Sequence, residues 1–293
     1  MRITDTATFD RIKNDVLKAR DAVNVAQGQA SSGLRVSKPS DDPAAAAAAR
    51  RETSRKALAD AGKAAADSAT TVLQSADDAL NDVYEGLSSV RDLATQNASS
   101  TVSAEDRRTA AAQVRSIRDQ MVALGNTNVA GSYVFAGYKD KTPAYNTDGT
   151  YAGDNSSKEV QALPGLKVGT SIPGSKIFGD EGADDNMFST LDKLATALDN
   201  NDPDAVKNML TPLDKNQERV IGARSQVGSM MNTVTVASSV AERNGFNAQV
   251  EYTRLVGIDA VTSTTNLLQA KNALDAALTI AQQIPTSGLL GGK

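Results

Sequence analysis

Three stretches of this chain place apolar residues at alternating intervals of three and four. The first runs Phe9, Ile12, Val16, Ala19, Val23, Ala26, Ala30, and the second Leu73, Ala76, Leu80, Val83, Leu87, Val90, Ala94. The third runs Leu267, Ala270, Leu274, Ala277, Ala281, Ile284. Such a repeat keeps one stripe of a helix facing a partner, as in coiled coils. Strand side chains alternate every second residue and cannot hold that stripe on one face. The chain is therefore expected to be mainly α, an elongated bundle of long helices. Leu, Ile, Val and Phe supply only about a fifth of the 293 residues, and alanine fills much of the rest. Seams of that kind suit thin helices packed closely.

Breaks between the stretches set the organisation. Gly33 stops the first helix, and residues 31–42 ("SSGLRVSKPSDD") form a hinge containing Pro39. Asp42 then caps a new helix and Pro43 suits its first turn, where a missing N–H costs nothing. That helix is read to about Gln96. Ser103 and Asp106 form a capping box for the next, which carries Ala110, Val114, Ile117, Met121 and Leu124 and ends at Gly125. Asp202 and Pro203 repeat the start signal. From there one helix is expected through Val206, Leu210, Leu213, Val220, Val227 and Val234 to about Asn244, and a last one over 247–284.

Between about 130 and 182 the character changes. Glycine, proline and most tyrosines gather there with short runs of β-formers, which predicts short strands joined by turns. Three parts follow: terminal helices over 1–42 and 246–293, a helical bundle over 43–138 and 187–245, and a small β-rich insert domain over 139–186. Because the seams lie outside the insert, its excision is expected to leave the bundle intact. The final 48 residues hold six charged side chains, about half the density of the whole chain. A helix that is mildly polar all round suits packing against neighbours on several sides.

The residues exclude much chemistry. Cysteine, histidine and tryptophan are absent, so thiol nucleophiles, His-based triads and zinc sites of the usual kinds are ruled out. A net charge of −4 offers no basic surplus for nucleic acid or an acidic membrane, and no apolar run reaches the length of a membrane span. The acidic pairs Asp41–Asp42, Asp77–Asp78 and Asp184–Asp185 read as caps or solvated faces. The stretch 146–157 fails the EF-hand pattern. The sequons at Asn97 and Asn155 are too common a motif to weigh. No catalytic, cofactor-binding or metal-ligating residue is expected, and no cofactor. With an uncleaved, charged N-terminus, these rules by themselves predict a soluble intracellular chain.

What remains is a seam-bearing segment at each end. One reading is a monomeric bundle whose first and last helices close on each other. The other is that the ends pair and pack against copies of themselves, and the low charge of the last helix favours it. On this second reading Phe9, Ile12, Val16, Val23, Leu267, Leu274, Ala277 and Ile284 form the assembly interface. Gly33, Pro39, Asp42 and Pro43 form the hinge and helix start.

The segments "SSGLRVSKPSDDPA" (31–44), "RVIGARSQVGSMMNTV" (219–234) and "NLLQAKNALDAALTIAQQI" (266–284) resemble the terminal signatures of the flagellin superfamily. That group contains bacterial flagellins and the hook–filament junction proteins. "PSDDPAAAA" resembles the junction proteins of the FlgL type, whereas the ending "QQIPTSGLLGGK" is similar to that of a flagellin. The resemblance implies a secreted, extracellular, non-enzymatic adaptor, exported unfolded through the flagellar type III channel. Its implied partners are copies of itself, a hook-associated protein on one side, flagellin on the other, and an export chaperone. It also implies that the segment before the hinge joins the C-terminal helix in an inner tube, while the helix after "SDDP" belongs to an outer bundle. A flagellin subunit and a cytosolic coiled-coil scaffold or signalling protein are the alternatives.

Overall fold

A computed structural model describes residues 2–163, 165–180 and 186–283. Ile284 and the pair Asp184–Asp185 lie outside the described residues. Among the described residues the order is α1 (Arg2–Ser32), α2 (Pro43–Asn97), α3 (Ala104–Gly125), β1 (Asn128–Val129), β2 (Ser132–Tyr133), β3 (Glu159–Leu163) and β4 (Leu166–Gly169). Then follow α4 (Gly174–Phe178), α5 (Met187–Asp199), α6 (Pro203–Asn208), α7 (Leu210–Val256) and α8 (Ala260–Gln282). The protein is mainly α, with long helices and a few small strands. Two units divide the chain, Leu58–Arg243 and Met1–Ala57 with Asn244–Lys293.

In the central unit the second seam is the spine. Leu73, Ala76, Leu80, Val83, Leu87, Val90 and Ala94 are each at most 2% exposed. Burying a leucine fully is worth about 1.5–3 kcal/mol, so this stripe is a main source of the unit's stability. Val114 and Met121 of α3, Leu191, Leu194 and Leu198 of α5, and Val220, Val227 and Val234 of α7 share its core. Ser103 starts α3 as the capping box requires. Its hydroxyl accepts from the Asp106 N–H at 3.1 Å and donates to the Asp106 carboxylate at 2.7 Å. Arg224 of α7 reaches Asp77 of α2 at 3.0 Å, and Arg91 reaches Asp214 at 2.6 Å.

Two helix limits differ from expectation. The single helix expected from Asp202 breaks at Met209 into α6 and α7. Pro212 explains it, because its ring clashes with the carbonyl four residues back, at Asn208, and it has no N–H to give. At the far end α7 does not stop near Asn244 but continues to Val256. A single glycine such as Gly245 costs a helix only about 1 kcal/mol relative to alanine and does not end it.

The strands form two antiparallel hairpins. β1 pairs with β2, Val129 opposite Ser132, through Ala130 and Gly131, both at positive φ as a type I′ turn demands. β3 pairs with β4, Val160 opposite Val168 and Gln161 opposite Lys167. The region read as a dispensable insert completes the helical core instead. Tyr145, Ile172, Ile177 and Phe178 are buried in the same cluster as the α2 seam. Phe178 stacks on Phe188 of α5 at 5.3 Å, and Tyr145 meets both rings edge-on at 5.1 and 5.2 Å. Aromatic rings carry more apolar area than a turn-rich sequence suggests, which is why composition misjudged this segment.

Candidate assembly interface

The terminal unit is built from α1, the hinge, the first turns of α2, the last turns of α7, and α8. Helix α1 ends at Ser32, and Gly33 at φ +69° turns the chain out of it. Only glycine takes that left-handed conformation without steric cost. Pro39 occupies the second position of a turn closed by the Asp41 N–H donating to the Lys38 carbonyl at 3.0 Å. The Asp41 carboxylate closes the same turn, accepting from the N–H groups of Ser37 at 3.0 Å and Lys38 at 2.8 Å. Asp42 accepts from the Ala45 N–H at 2.9 Å, capping α2, with Pro43 first in the helix. These backbone donors hold both carboxyls below the usual carboxylate range: Lys38 acts first on Asp41 and Ala45 first on Asp42.

The hinge is docked, and its partner was missed in the sequence. Val256 ends α7, and the chain runs through Gly257 and Ile258 before Asp259 caps α8 by accepting from the Thr262 N–H at 3.0 Å. The carbonyl of Val256 accepts from the N–H groups of Arg35 at 2.7 Å and Val36 at 3.3 Å, and Ile258 N–H donates to Gly33 O at 3.0 Å. Leu34 and Gly257 form an antiparallel bridge. The Arg35 guanidinium donates to Leu255 O at 3.0 Å and pairs with Asp42 at 3.3 Å. Beneath lies a small core of Val36, Ala45, Ala49 and Val256. The signals were present: a glycine followed by Asp-x-x-Thr is a helix stop and start. The expectation of one helix over 247–284 hid them.

From this joint α1 and α8 run against each other. Ile12, Val16, Ala19 and Val23 on α1, and Leu267, Ala270, Leu274, Ala277 and Ala281 on α8, are half-buried. Ala26 is buried, whereas Phe9 is 51% exposed. The seam residues are thus brought to the contact, except that Phe9 and Ala30 are exposed and Ile284 is outside the described residues. The same three-four spacing that disappears into the core along α2 is only half covered here.

The outward faces carry exposed apolar side chains, among charges such as Asp10, Arg11, Lys13 and Asp15 on α1 and almost without charge on α8. Leu17 and Val25 on α1 are exposed, as are Val261 (74%), Leu268 (57%), Leu278 and Ile280 (56%) on α8. Stepping 100° per residue puts Val261 and Leu268 opposite the seam and Ile280 on a third face. Lys271 and Asp275 are the charged residues of α8, and most of its hydroxyls bond its own backbone carbonyls. Thr264 and Thr279 donate to carbonyls four residues back at 2.8 Å, as does Thr265. Donors already satisfied by the helix cost little to remove from water. The surface is suited to burial on several sides. Among the described residues no cluster of acidic side chains is placed to hold a metal, and no helix is long and apolar enough to cross a membrane.

Residues 8–140 match the family profile described as the bacterial flagellin N-terminal helical region. Over 272 residues the chain is 26% identical to flagellar hook-associated protein 3 of Escherichia coli (strain K12), covering 85% of this chain and 86% of that protein. The flagellin of Salmonella typhimurium is 38% identical over 95 residues, 32% of this chain and 19% of that one. A solved structure from Vibrio parahaemolyticus, assigned as flagellar hook-associated, superposes with a TM-score of 0.68 at 22% identity. That match spans 73% of this chain and 99% of the other and is a likeness of fold.

Proposed function

We propose that this chain, similar to the bacterial flagellin N-terminal helical region and to flagellar hook-associated protein 3, is a member of the flagellin superfamily and a structural axial component of the bacterial flagellum that joins hook to filament. It acts outside the cell, after export through the flagellar channel, and by contact instead of catalysis. The observation that carries the reading is the half-covered α1–α8 pair, with exposed apolar side chains on its outward faces and, on α8, almost no charge. Such a pair has its stable state among neighbours. Those neighbours are copies of the chain, a hook-associated protein on the hook side and flagellin on the filament side, with an export chaperone covering the surface beforehand.

The likeness to a hook-associated protein spans most of the length of both chains, whereas the likeness to flagellin covers 95 residues, about a third of this chain and a fifth of that one. That difference favours the adaptor over a filament subunit. The test is to image the tagged chain on flagellated cells that carry no other copy. A single focus at the hook tip supports the adaptor. Label along the whole filament would make it a flagellin, and label confined to the cytoplasm would return the cytosolic scaffold.

A further inference from the structure

A groove runs between α2 and α3 in the central unit. Asp82, Glu85, Ser89 and Asp92 follow the three-four spacing along one face of α2, and all but Ser89 are acidic. Ile117 and Leu124 of α3 form the opposite wall. Two adjoining hollows of about 450 and 610 Å³, sharing Ser89 and Ile117, make up the groove. Neighbouring charges on the same helix are matched within the chain: Asp67 by Lys63, Asp77 by Arg224, and Arg91 by Asp214. Asp82, Glu85 and Asp92 have no cation at ion-pair distance among the described residues. Asp82 and Glu85 are like charges three residues apart, which disfavours the helix, and Arg224 and Arg91 act on Glu85 and Asp92 only from beyond ion-pair distance.

The first turns of α2, in the terminal unit, carry the opposite excess. Arg50, Arg51 and Arg55 are exposed, and Arg55 pairs with Glu52. Arg50 and Arg51 make no ion pair among the described residues.

We propose that the α2–α3 groove of one copy receives the arginine-bearing first turns of α2 from a second copy. The inference rests on the reading that the chain assembles with its own copies, and it names one contact between them. The groove supplies apolar side walls and an acidic rim, and the incoming helix supplies guanidinium groups for that rim. Groove and arginines are different patches, so the contact is head-to-tail. It passes from copy to copy, leaving a free groove at one end and free arginines at the other in an open row and none in a closed ring.

Two full-length variants test it, Asp82→Lys with Glu85→Lys, and Arg50→Glu with Arg51→Glu. All four positions are on the surface, and unchanged circular dichroism would establish folding. In cells lacking the native gene, each variant alone is expected to incorporate into sheared flagella at least tenfold below wild type. Co-expression is expected to restore at least half the wild-type amount, because an alternating row pairs every reversed groove with a reversed helix. The chain has no cysteine, so co-expressed Glu85→Cys and Arg51→Cys chains should also form a disulfide-linked dimer that neither forms alone. Normal incorporation of either variant alone, or failure of the pair to restore it, would overturn the contact. The second result would assign the groove to a different basic protein. Wild-type protein absent from the flagella would instead overturn the assembly reading itself.

Discussion

At Gly257 the backbone leaves no room for a side chain: a Cβ there would lie 2.4 Å from the Thr253 carbonyl oxygen. Gly257→Ala is therefore expected to push the chain off its bridge with Leu34, at a local cost of about 1–3 kcal/mol. Hydrogen exchange would show it as faster exchange at the Arg35, Val36 and Ile258 amides, with amides of the central unit unchanged. Three carboxylates tie the same joint, and each is held below its ordinary value, by N–H donors of Lys38 for Asp41, Ala45 for Asp42 and Thr262 for Asp259. Depressed folded values mean that their contribution is complete above the unfolded carboxylate value of about 4 and is lost as pH falls through the folded ones. Exchange at Lys38, Ala45 and Thr262, corrected for intrinsic rates, should be level from pH 7 to 5 and rise below about pH 4. A rise already at pH 6 would assign the joint's stability elsewhere.

Two helical seams with one spacing behave differently, and the difference is testable at the level of the element. Leu87 is fully buried in α2, and truncating it to alanine should cost about 2–5 kcal/mol and lower the melting temperature of the central unit. Leu274 on α8 is half-buried. Leu274→Asp should leave the melting of dilute monomer almost unchanged, yet abolish incorporation by placing a charge in the seam. Strong destabilisation of monomer by Leu274→Asp would mean that the α1–α8 pair is closed and complete by itself. The segment 140–180 gives the opposite contrast. Its turns suggested that it could be removed, but excision takes Tyr145, Ile172, Ile177 and Phe178 from the core. The excised chain is expected to lose cooperative unfolding, monitored by thermal circular dichroism.

For the molecule as a whole, the two units differ in what holds them. The central unit buries leucines, phenylalanines and a tyrosine, whereas the terminal unit has a core of four small or β-branched residues beneath the joint and an alanine-rich helix pair. Ordering costs of roughly 1–2 kcal/mol per residue weigh heavily on such a pair when nothing covers its outer faces. Limited proteolysis of dilute protein should therefore trim both ends and leave a resistant fragment containing 58–243. Assembly should protect the ends. Full protection of both termini in dilute monomer would favour the closed bundle.

The sequence by itself determined which stretches are helices, where most begin, and which face each one buries. Those properties are local: a three-four spacing, an Asp-Pro start and a left-handed glycine act within a few residues, and Asp42, Ser103 and Asp202 cap as their spacing demands. The tertiary structure alone decided how completely each face is covered. Leu80 and Leu274 occupy equivalent places in identical repeats, yet one meets a ring of helices and the other a single partner. It also decided that residues 33–36 pair with 255–258, a contact made across more than two hundred residues of chain. Backbone hydrogen bonds carry no side-chain signature, so such a pairing leaves almost no trace in the order of the amino acids.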